Sequence, residues 1–250
     1  MRANGQFDPV ARASELLSEK WMSLILRELM LGTTRYGELI RALPTLSQPL
    51  LSKRLRELLD AGVIERRGER MAARYHLTEA GWDLEPIITA MGAWAQRWAP
   101  CTYDRADLDP ALLMWDIHRM LVPAGLAEGR TVIEFRLHGG TPANATFWLV
   151  VGEEIEMRHT DPGPWTDLAV DADMRALTEV WLGDRTMRSA MDDGLITLTG
   201  PGRLTRRFPR WFGQHPIYAK VRPAGSEDEA DAADDKDGAD DSTEDSTDDE

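Results

Sequence analysis

A run of polar side chains between residues 47 and 56 is of the kind that bonds to nucleic acid. It lies in the stretch SQPLLSKRLRELLDAG, residues 47–62. Lysine and arginine donate to phosphates and guanine edges, while serine hydroxyls and glutamine amides hydrogen-bond to other base edges. A helix turns about 100° per residue, so one face collects these groups. The candidate DNA-contacting residues on that face are Ser47, Gln48, Pro49, Ser52, Lys53 and Arg56.

A solvated helix face carries the same residue types, so the pattern alone leaves both alternatives open. The opposite side of the helix consists of Leu51, Leu55, Leu58 and Leu59. These leucines fall within about 100° of arc, which predicts a stripe facing a core. Ser47 is a good N-cap, and Gly62 is placed to end the helix. Arg54 lies on the flank of the leucine stripe, which favours a phosphate contact or an internal ion pair over base contact.

The residues before this helix predict a second, shorter helix. In TTRYGELIRALPTL, residues 33–46, the apolar side chains recur at helical spacing. They are Tyr36, Leu39, Ile40 and Leu43. Residues 44–46 remain as a three-residue turn, and two helices joined by so short a turn form a helix-turn-helix. The second helix of that motif can enter the major groove of DNA.

The residues after it predict a basic β-hairpin. VIERRGERMAARYHLT, residues 63–78, alternates on either side of a loop centred on Gly68. An arginine-bearing hairpin can contact phosphates or the minor groove, and helix, turn, helix and hairpin in this order describe a winged helix. The remaining candidate DNA-contacting residues are Arg35, Arg54, Arg66, Arg67, Arg70 and Arg74.

Residues 8–100 resemble the HxlR family of bacterial winged-helix transcriptional regulators. The matching pieces are KWMSLILREL, RYGELIRALP, LSKRLRELLDAGVIERR, YHLTEAG and AMGAWAQRWA. The resemblance implies a homodimer on a pseudo-palindromic operator, with residues 47–56 as recognition helix and residues 66–74 as wing. Many members carry a cysteine just before the first helix, where this chain has FDPVARASELL with Asp8. Thiol sensing at that position is therefore not expected.

Apolar residues beyond the hairpin predict a dimer contact. Leu84, Ile87, Ile88, Met91, Trp94 and Trp98 recur at helical spacing, and Pro86 restarts or kinks that helix. So many large apolar groups on the last helix of a small domain favour a partner subunit, although packing against a second domain is the alternative. The candidate dimer residues are Val10, Leu16, Leu17, Ile88, Met91, Trp94 and Trp98.

Residues 101–109 lack apolar periodicity and predict a linker to a second domain at residues 110–222. A helix is expected at residues 110–121, strands at residues 131–137, 145–152 and 154–160, and a strand passing into a helix at about Asp171. A short helix, the strand LITLTG and a last helix follow. Helices beside mainly antiparallel strands indicate the α+β class.

This second region resembles the sterol-carrier-protein-like domain over about residues 110–215. The strongest local match is LGDRTMRSAMDDGLITLTGP. The resemblance implies an apolar tunnel for lipids or other hydrophobic molecules, enclosed by a sheet and its covering helices. Plain core is the alternative for each candidate lining residue. The candidates are Phe147, Trp148, Trp181, Met187, Met191, Phe208 and Trp211.

The net charge of −14 is concentrated at one end of the chain. Residues 1–100 carry +2, residues 101–222 carry −3 and residues 223–250 carry −13. Residues 31–78 hold nine basic and five acidic side chains, so the predicted DNA-binding region is locally basic. The Asp-rich end, residues 223–250, predicts a disordered tail. It either solubilises the protein or competes with DNA for the basic face.

Composition and motifs argue against several function classes. A chain of 250 residues with 42% hydrophobic residues can build one large or two ordinary domains. It lacks an apolar run of about 18 residues and a signal-like start, which predicts a cytoplasmic protein without membrane contact. The single cysteine, Cys101, cannot form an internal disulfide. No H-E-x-x-H, G-x-S-x-G or metal-ligand spacing is present, and His76 is expected on a strand surface. We therefore expect no enzyme activity, metal or cofactor.

Taken together, the sequence predicts a dimeric, DNA-binding transcriptional regulator with a hydrophobic small-molecule effector in the second domain. One alternative is a lipid-binding or hydrophobic-ligand-binding protein that uses the winged helix for protein interaction. The other is an enzyme in the second domain.

Overall fold

A computed structural model describes residues 7–69, 72–99, 103–122 and 129–212. The predicted acidic tail, the wing residue Arg70 and the single cysteine, Cys101, lie outside these residues. Two separate hydrophobic cores are present in the described part of the chain, one before and one after residue 100, with Trp115 from the second part packed against the first core.

The first unit is the predicted winged helix-turn-helix. Its β1 and β2 pair antiparallel, with Ile64 opposite Leu77. The backbone N–H of Tyr75 in β2 donates to the carbonyl of Thr34 at 2.8 Å, which ties the wing to the residues just before α3. The elements are α1 (Pro9–Leu17), α2 (Met22–Met30), α3 (Tyr36–Ala42), α4 (Gln48–Asp60), β1 (Ile64–Arg67), β2 (Arg74–Leu77), α5 (Glu79–Trp82) and α6 (Glu85–Trp98).

Helix α4 begins and ends where its sequence predicts. Ser47 is the N-cap residue in an extended conformation, although its side chain makes no capping hydrogen bond. Pro49 lies in the first turn, where a missing N–H costs little. Gly62 follows the helix with φ +70°, a left-handed conformation that glycine adopts without strain. The predicted stripe is confirmed: Leu51, Leu55 and Leu58 are buried in the first core, and Leu59 is partly buried against it.

The second unit is α+β, as predicted. Its five-stranded sheet has the order β5-β4-β3-β6-β7. Strands β3 and β6 pair in parallel, and the other neighbours pair antiparallel. The elements are α7 (Pro110–Met120), β3 (Thr131–His138), β4 (Asn144–Val151), β5 (Ile155–Arg158), β6 (Leu168–Asp173), α8 (Met174–Leu182), α9 (Met187–Asp192), β7 (Ile196–Thr199) and α10 (Gly202–Trp211).

Two boundaries differ from the sequence prediction. Helix α8 begins at Met174 rather than at about Asp171, because β6 continues through Asp173. The Asp173 side chain then caps the helix by accepting from the backbone N–H of Ala176 at 3.0 Å. Residues 103–109, predicted as part of the linker, pack on the second unit. Leu108 is buried in the second core, and its carbonyl accepts from the N–H of Thr141 at 2.9 Å.

One face of the sheet covers the second core. In β3, Ile133, Phe135 and Leu137 are almost fully buried. The residues between them point to the opposite face, because side chains alternate along a strand. There Arg136 pairs with Glu134 at 2.7 Å, and both belong to a polar outer surface. None of the helices in the described ranges is long and apolar enough to cross a bilayer.

Candidate nucleic-acid interface

The predicted contact face of α4 is exposed. Ser47, Gln48 and Pro49 are exposed around the start of the helix, and Lys53 and Arg56 are exposed further along it. The Lys53 ammonium lies 3.7 Å from the Glu57 carboxylate, a surface pair of low strength that a phosphate can replace. Four of these residues, all except Pro49, therefore present side-chain donors to solvent on one side of the helix.

Tyr36 connects α3 to this face. Its hydroxyl lies 2.9 Å from the carbonyl oxygen of Gln48, to which it donates, and 2.9 Å from the Ser52 hydroxyl. Ser52 is therefore partly buried, whereas the other five predicted contact residues are exposed. The sequence interpretation placed Tyr36 only as an apolar residue of α3. The hydroxyl of Tyr36 could have indicated this contact, since a partly buried tyrosine needs a hydrogen-bond partner.

Arg54 points into the protein. Its side chain is 6% exposed, and Nη1 and Nη2 pair with Glu57 at 2.7 Å and Glu19 at 2.5 Å. Its Nε donates to the carbonyl of Lys20 at 3.0 Å. Burial lowers the pKa of the guanidinium, but the bonds to Glu57 and Glu19 outweigh it and the pKa is raised. Of the two alternatives for Arg54, the structure has the internal ion pair.

A basic cleft lies between α3 and the wing. Its volume is about 510 Å³, and its walls include Arg35, Arg41 and Arg66. Arg35 also forms an isolated β-bridge with Arg74, which brings α3 and the wing into one surface. The predicted wing arginines Arg66, Arg67 and Arg74 are exposed, and Arg67 pairs with Glu65. Arg41 was not predicted as part of this site, because its position in α3 resembles that of any solvated helix residue.

The predicted dimer residues divide into exposed and buried groups. Met91, Trp94 and Trp98 of α6 are 49%, 62% and 64% exposed, and Val10 of α1 is exposed as well. Leu16 and Leu17 pack partly against the first core. Ile88 is buried in that core, so its side chain does not reach the exposed face of α6. The exposed face forms an open apolar groove of about 710 Å³, lined by Pro86, Ile87, Ala90, Met91, Trp94 and Ala95.

The residues predicted to line a ligand tunnel lie mostly in the second core. Phe147, Trp181, Met187, Phe208 and Trp211 are buried there, and Met191 packs against them. Trp148 lies on the outer face of the sheet, opposite Glu134 and Arg158 in the strand pairing. Trp181 also lines a cavity of about 130 Å³ between α7 and α8, to which Arg27 of α2 contributes. A tunnel through this core stays a prediction.

Metal-ligand groups are absent from the described ranges: no three His, Cys, Asp or Glu side chains there cluster as a metal site requires. Two histidines of the second unit, His118 and His138, have shifted pKa values, and each is hydrogen-bonded to other protein groups. His118 of α7 lies with Nδ1 2.6 Å from the carbonyl oxygen of Trp115. His138 at the end of β3 bonds Asn144 at 3.0 Å and Asp171 at 3.1 Å.

The opposite pKa shifts of His118 and His138 predict opposite effects of pH on stability. Burial lowers the pKa of His118, and the positive charge of Arg119 adds to this. Its stabilising contribution is therefore complete above about pH 6.5 and declines at lower pH, as the unfolded chain takes up the proton. Bonds to Asn144 and Asp171 raise the pKa of His138, so its contribution is complete below about pH 6.5 and declines at higher pH.

We expect His118→Gln to reduce the loss of stability between pH 7 and pH 5, and His138→Gln to increase it. Urea unfolding of the three proteins at both pH values measures this. The same pH dependence in all three would contradict both assignments.

Comparisons with known proteins identify relatives of part of the chain. Residues 16–103 match the family described as HxlR-like helix-turn-helix. The uncharacterized HTH-type transcriptional regulator Rv3095 of Mycobacterium tuberculosis is 40% identical over 96 residues, covering 37% of this chain. The uncharacterized HTH-type transcriptional regulator YvaP of Bacillus subtilis is 38% identical over 90 residues, covering 35% of this chain. The chain spans 60% of the length of the first relative and 83% of the second.

A solved structure gives a similar match. The crystal structure of quinone-bound YodB from Bacillus subtilis has 35% sequence identity and a TM-score of 0.33. The match covers 36% of this chain and 98% of that chain.

Proposed function

Through residues 16–103 this chain belongs to the HxlR-like helix-turn-helix family, and from that premise we propose that it is a DNA-binding transcriptional regulator. The observation that carries the proposal is one continuous donor-rich surface. It runs from the exposed start of α4, across Tyr36 and Arg35, to the wing arginines. Recognition helix and wing are the two elements with which a winged helix contacts a duplex.

Selection from a random pool of DNA duplexes tests this proposal. The full-length protein is expected to enrich a sequence with two related half-sites about 10 base pairs apart, or a multiple of that distance. Its affinity for the enriched duplex should fall steeply with salt, because lysine and arginine displace counterions from the phosphates. A pool without enrichment, together with salt-independent binding, would refute the proposal.

The proposed DNA-binding form is a homodimer that pairs the exposed faces of α6. Trp94, Trp98 and Met91 remain exposed in the described structure, although α6 does touch the second unit through a bond from Gln96 to the carbonyl of Leu182. Packing against the second unit therefore leaves these side chains uncovered. Contiguous exposed apolar surface of this kind marks protein interfaces.

Trp94→Glu is expected to convert the dimer to a monomer, because it places a charge in the apolar groove. Sedimentation equilibrium should change from twice the chain mass to the chain mass of 28.1 kDa. Trp165→Glu is the matched control, since Trp165 is 80% exposed in the second unit and does not line the groove on α6. A Trp94→Glu protein that remains dimeric would place the dimer contact elsewhere.

The proposed effector is a hydrophobic small molecule held in the second unit, which is assigned no catalytic step. The proposal follows from the resemblance of residues 110–215 to sterol-carrier-like domains, together with the sheet of the second unit, one face of which covers an apolar core. Mass spectrometry of the native protein should show a co-purified apolar compound. If stripping this compound leaves operator affinity unchanged, or if no compound is present, the effector proposal fails.

A further inference from the structure

Helix α7 of the second unit lies against the helix-turn-helix. Arg119 in its last turn reaches back 91 positions along the chain to Glu28 of α2, with Nη1 3.2 Å from Oε2. The same Nη1 donates to the hydroxyl of Thr33 at 2.5 Å. Glu28 is completely buried. The two units are therefore joined by a charged hydrogen bond whose acceptor lies inside the first unit.

Trp115 makes a second contact one turn earlier in α7. Its indole packs against the first core and lies close to two guanidinium groups. The Arg119 group is 5.5 Å from the ring centroid, and the Arg41 group is 5.9 Å from it. Arg41 belongs to the last turn of α3. Helix α7 thus contacts α2 at Glu28, the segment between α2 and α3 at Thr33, and the last turn of α3 at Arg41.

The charges at this joint are balanced and largely withdrawn from water. Glu28 accepts from Arg27 at 2.8 Å as well as from Arg119, and Arg119 also pairs with Asp116 at 2.5 Å. The exposed fractions of these four side chains are 0%, 19%, 14% and 16% for Glu28, Arg27, Arg119 and Asp116. Separating the units would leave a buried carboxylate with fewer partners, so one relative position is favoured.

The contacts continue from α3 to the recognition helix. Helix α7 contacts α3 directly through Trp115 and Arg41 in the last turn of α3, and it contacts Thr33 in the segment that leads from α2 to α3. At the start of α3, the Tyr36 hydroxyl bonds the Gln48 carbonyl and the Ser52 hydroxyl of α4. A displacement of α7 therefore shifts α3, and Tyr36 transmits that shift to the start of α4.

We infer that α7 is the element through which the second unit sets the position of the recognition helix. Trp115 and Arg119 are positioning residues for DNA binding: they touch no DNA, and they act through α3 and Tyr36. This inference rests on the proposed function, and it names the route by which an effector in the second unit regulates the operator site. A ligand changes operator affinity if it binds more tightly to the protein with α7 in one position than with α7 in another.

The test uses the full chain with Arg119→Met, which keeps the stem of the side chain and removes its charge. Trp115→Phe is the second variant, and Arg119→Lys is the conservative one. Arg158→Met is the matched control, because Arg158 forms an exposed pair with Glu156 on the sheet. Binding is measured to the operator duplex selected by the unaltered protein and to a scrambled duplex of the same composition.

A positioning role predicts that Arg119→Met weakens operator binding about tenfold, within the usual range of allosteric coupling. Affinity for the scrambled duplex should stay within about twofold, because the phosphate-binding side chains are unchanged. Trp115→Phe should act in the same direction, Arg119→Lys should restore part of the loss, and Arg158→Met should behave like the unaltered protein. A purely structural role would lower both affinities together, and that result overturns the inference.

Hydrogen exchange at the backbone amides of α3 provides a readout that needs no DNA. Exchange in α3 should become faster in Arg119→Met, while exchange in β7 stays the same. Unchanged α3 exchange overturns the inference even if DNA binding is confirmed. Failure of the unaltered protein to bind any duplex overturns the proposed function instead, and faster α3 exchange would still support the positioning role of Arg119.

Discussion

Alanine at both Lys53 and Arg56 is expected to weaken operator binding and to flatten its salt dependence. Both side chains are exposed on the outer face of α4, where they can reach phosphates. Each phosphate-binding side chain that is removed makes the slope of log affinity against log salt less negative by about 0.9. A dimer without four of them therefore has a slope less negative by about 3.6. Fluorescence anisotropy titrations between about 50 and 200 mM salt measure that slope.

The control for this pair removes the same charge from another surface. Arg136→Ala with Arg158→Ala deletes two guanidinium groups from the outer face of the sheet, where each is paired with a glutamate. The slope for this control should match that of the unaltered protein. Equal slopes for both double variants would show that total charge matters and that α4 does not face the DNA.

Arg54→Ala is expected to lower the free energy of unfolding by about 2–3 kcal/mol, because hydrogen bonds to charged groups contribute about that much. The variant deletes the bonds to Glu57, Glu19 and the carbonyl of Lys20 together with a buried stem. Glu19 is 45% exposed and can take water in place of the guanidinium, which keeps the loss below that of a fully buried pair. Urea unfolding measures the change.

Arg56 is the control for Arg54, two residues further along the same helix. Its exposed side chain makes Arg56→Ala a surface change worth less than about 0.5 kcal/mol. We therefore expect Arg54→Ala to affect stability and Arg56→Ala to affect DNA binding. Equal stability losses in the two variants would contradict the separate roles assigned to them.

Local sequence patterns were sufficient to predict most of the first unit. The leucine spacing of α4, its Ser47 cap and Gly62 are all read within one segment, and the structure has the helix at residues 48–60. The paired strands of the wing follow from alternation around Gly68 in the same way. The position of Arg54 on the edge of the leucine stripe did not decide between a phosphate contact and an internal ion pair. The reason is that its partner Glu19 comes from another part of the chain.

One prediction for the second unit could have been corrected from the alternation of side chains along a strand. Phe147 and Trp148 were both assigned to the ligand tunnel, but neighbours in a strand point to opposite faces of a sheet. Phe147 accordingly lies in the core and Trp148 on the outside. The parallel pairing of β3 with β6 is different, because strand order depends on contacts between distant segments and not on the pattern within either strand.

The joint at α7 was also beyond local patterns. Arg119 and Glu28 are separated by 91 residues, and each looks like an ordinary member of a charged helix turn. Only the folded chain shows that the carboxylate is buried and that the guanidinium covers it. Tertiary contacts of this kind also explain why Arg41 went unnoticed, since its partner Trp115 belongs to the other unit.

The same joint makes part of the surface of the winged helix depend on the second unit. A fragment ending before α7 would keep the Arg27 bond to Glu28 but lose the bond from Arg119, and water would reach a carboxylate that the full chain buries completely. It would also lose the indole of Trp115 from the surface of its core. The excised DNA-binding domain would therefore differ from the same residues in the intact protein at Glu28, whose carboxylate would be hydrated in place of its pairing with Arg119.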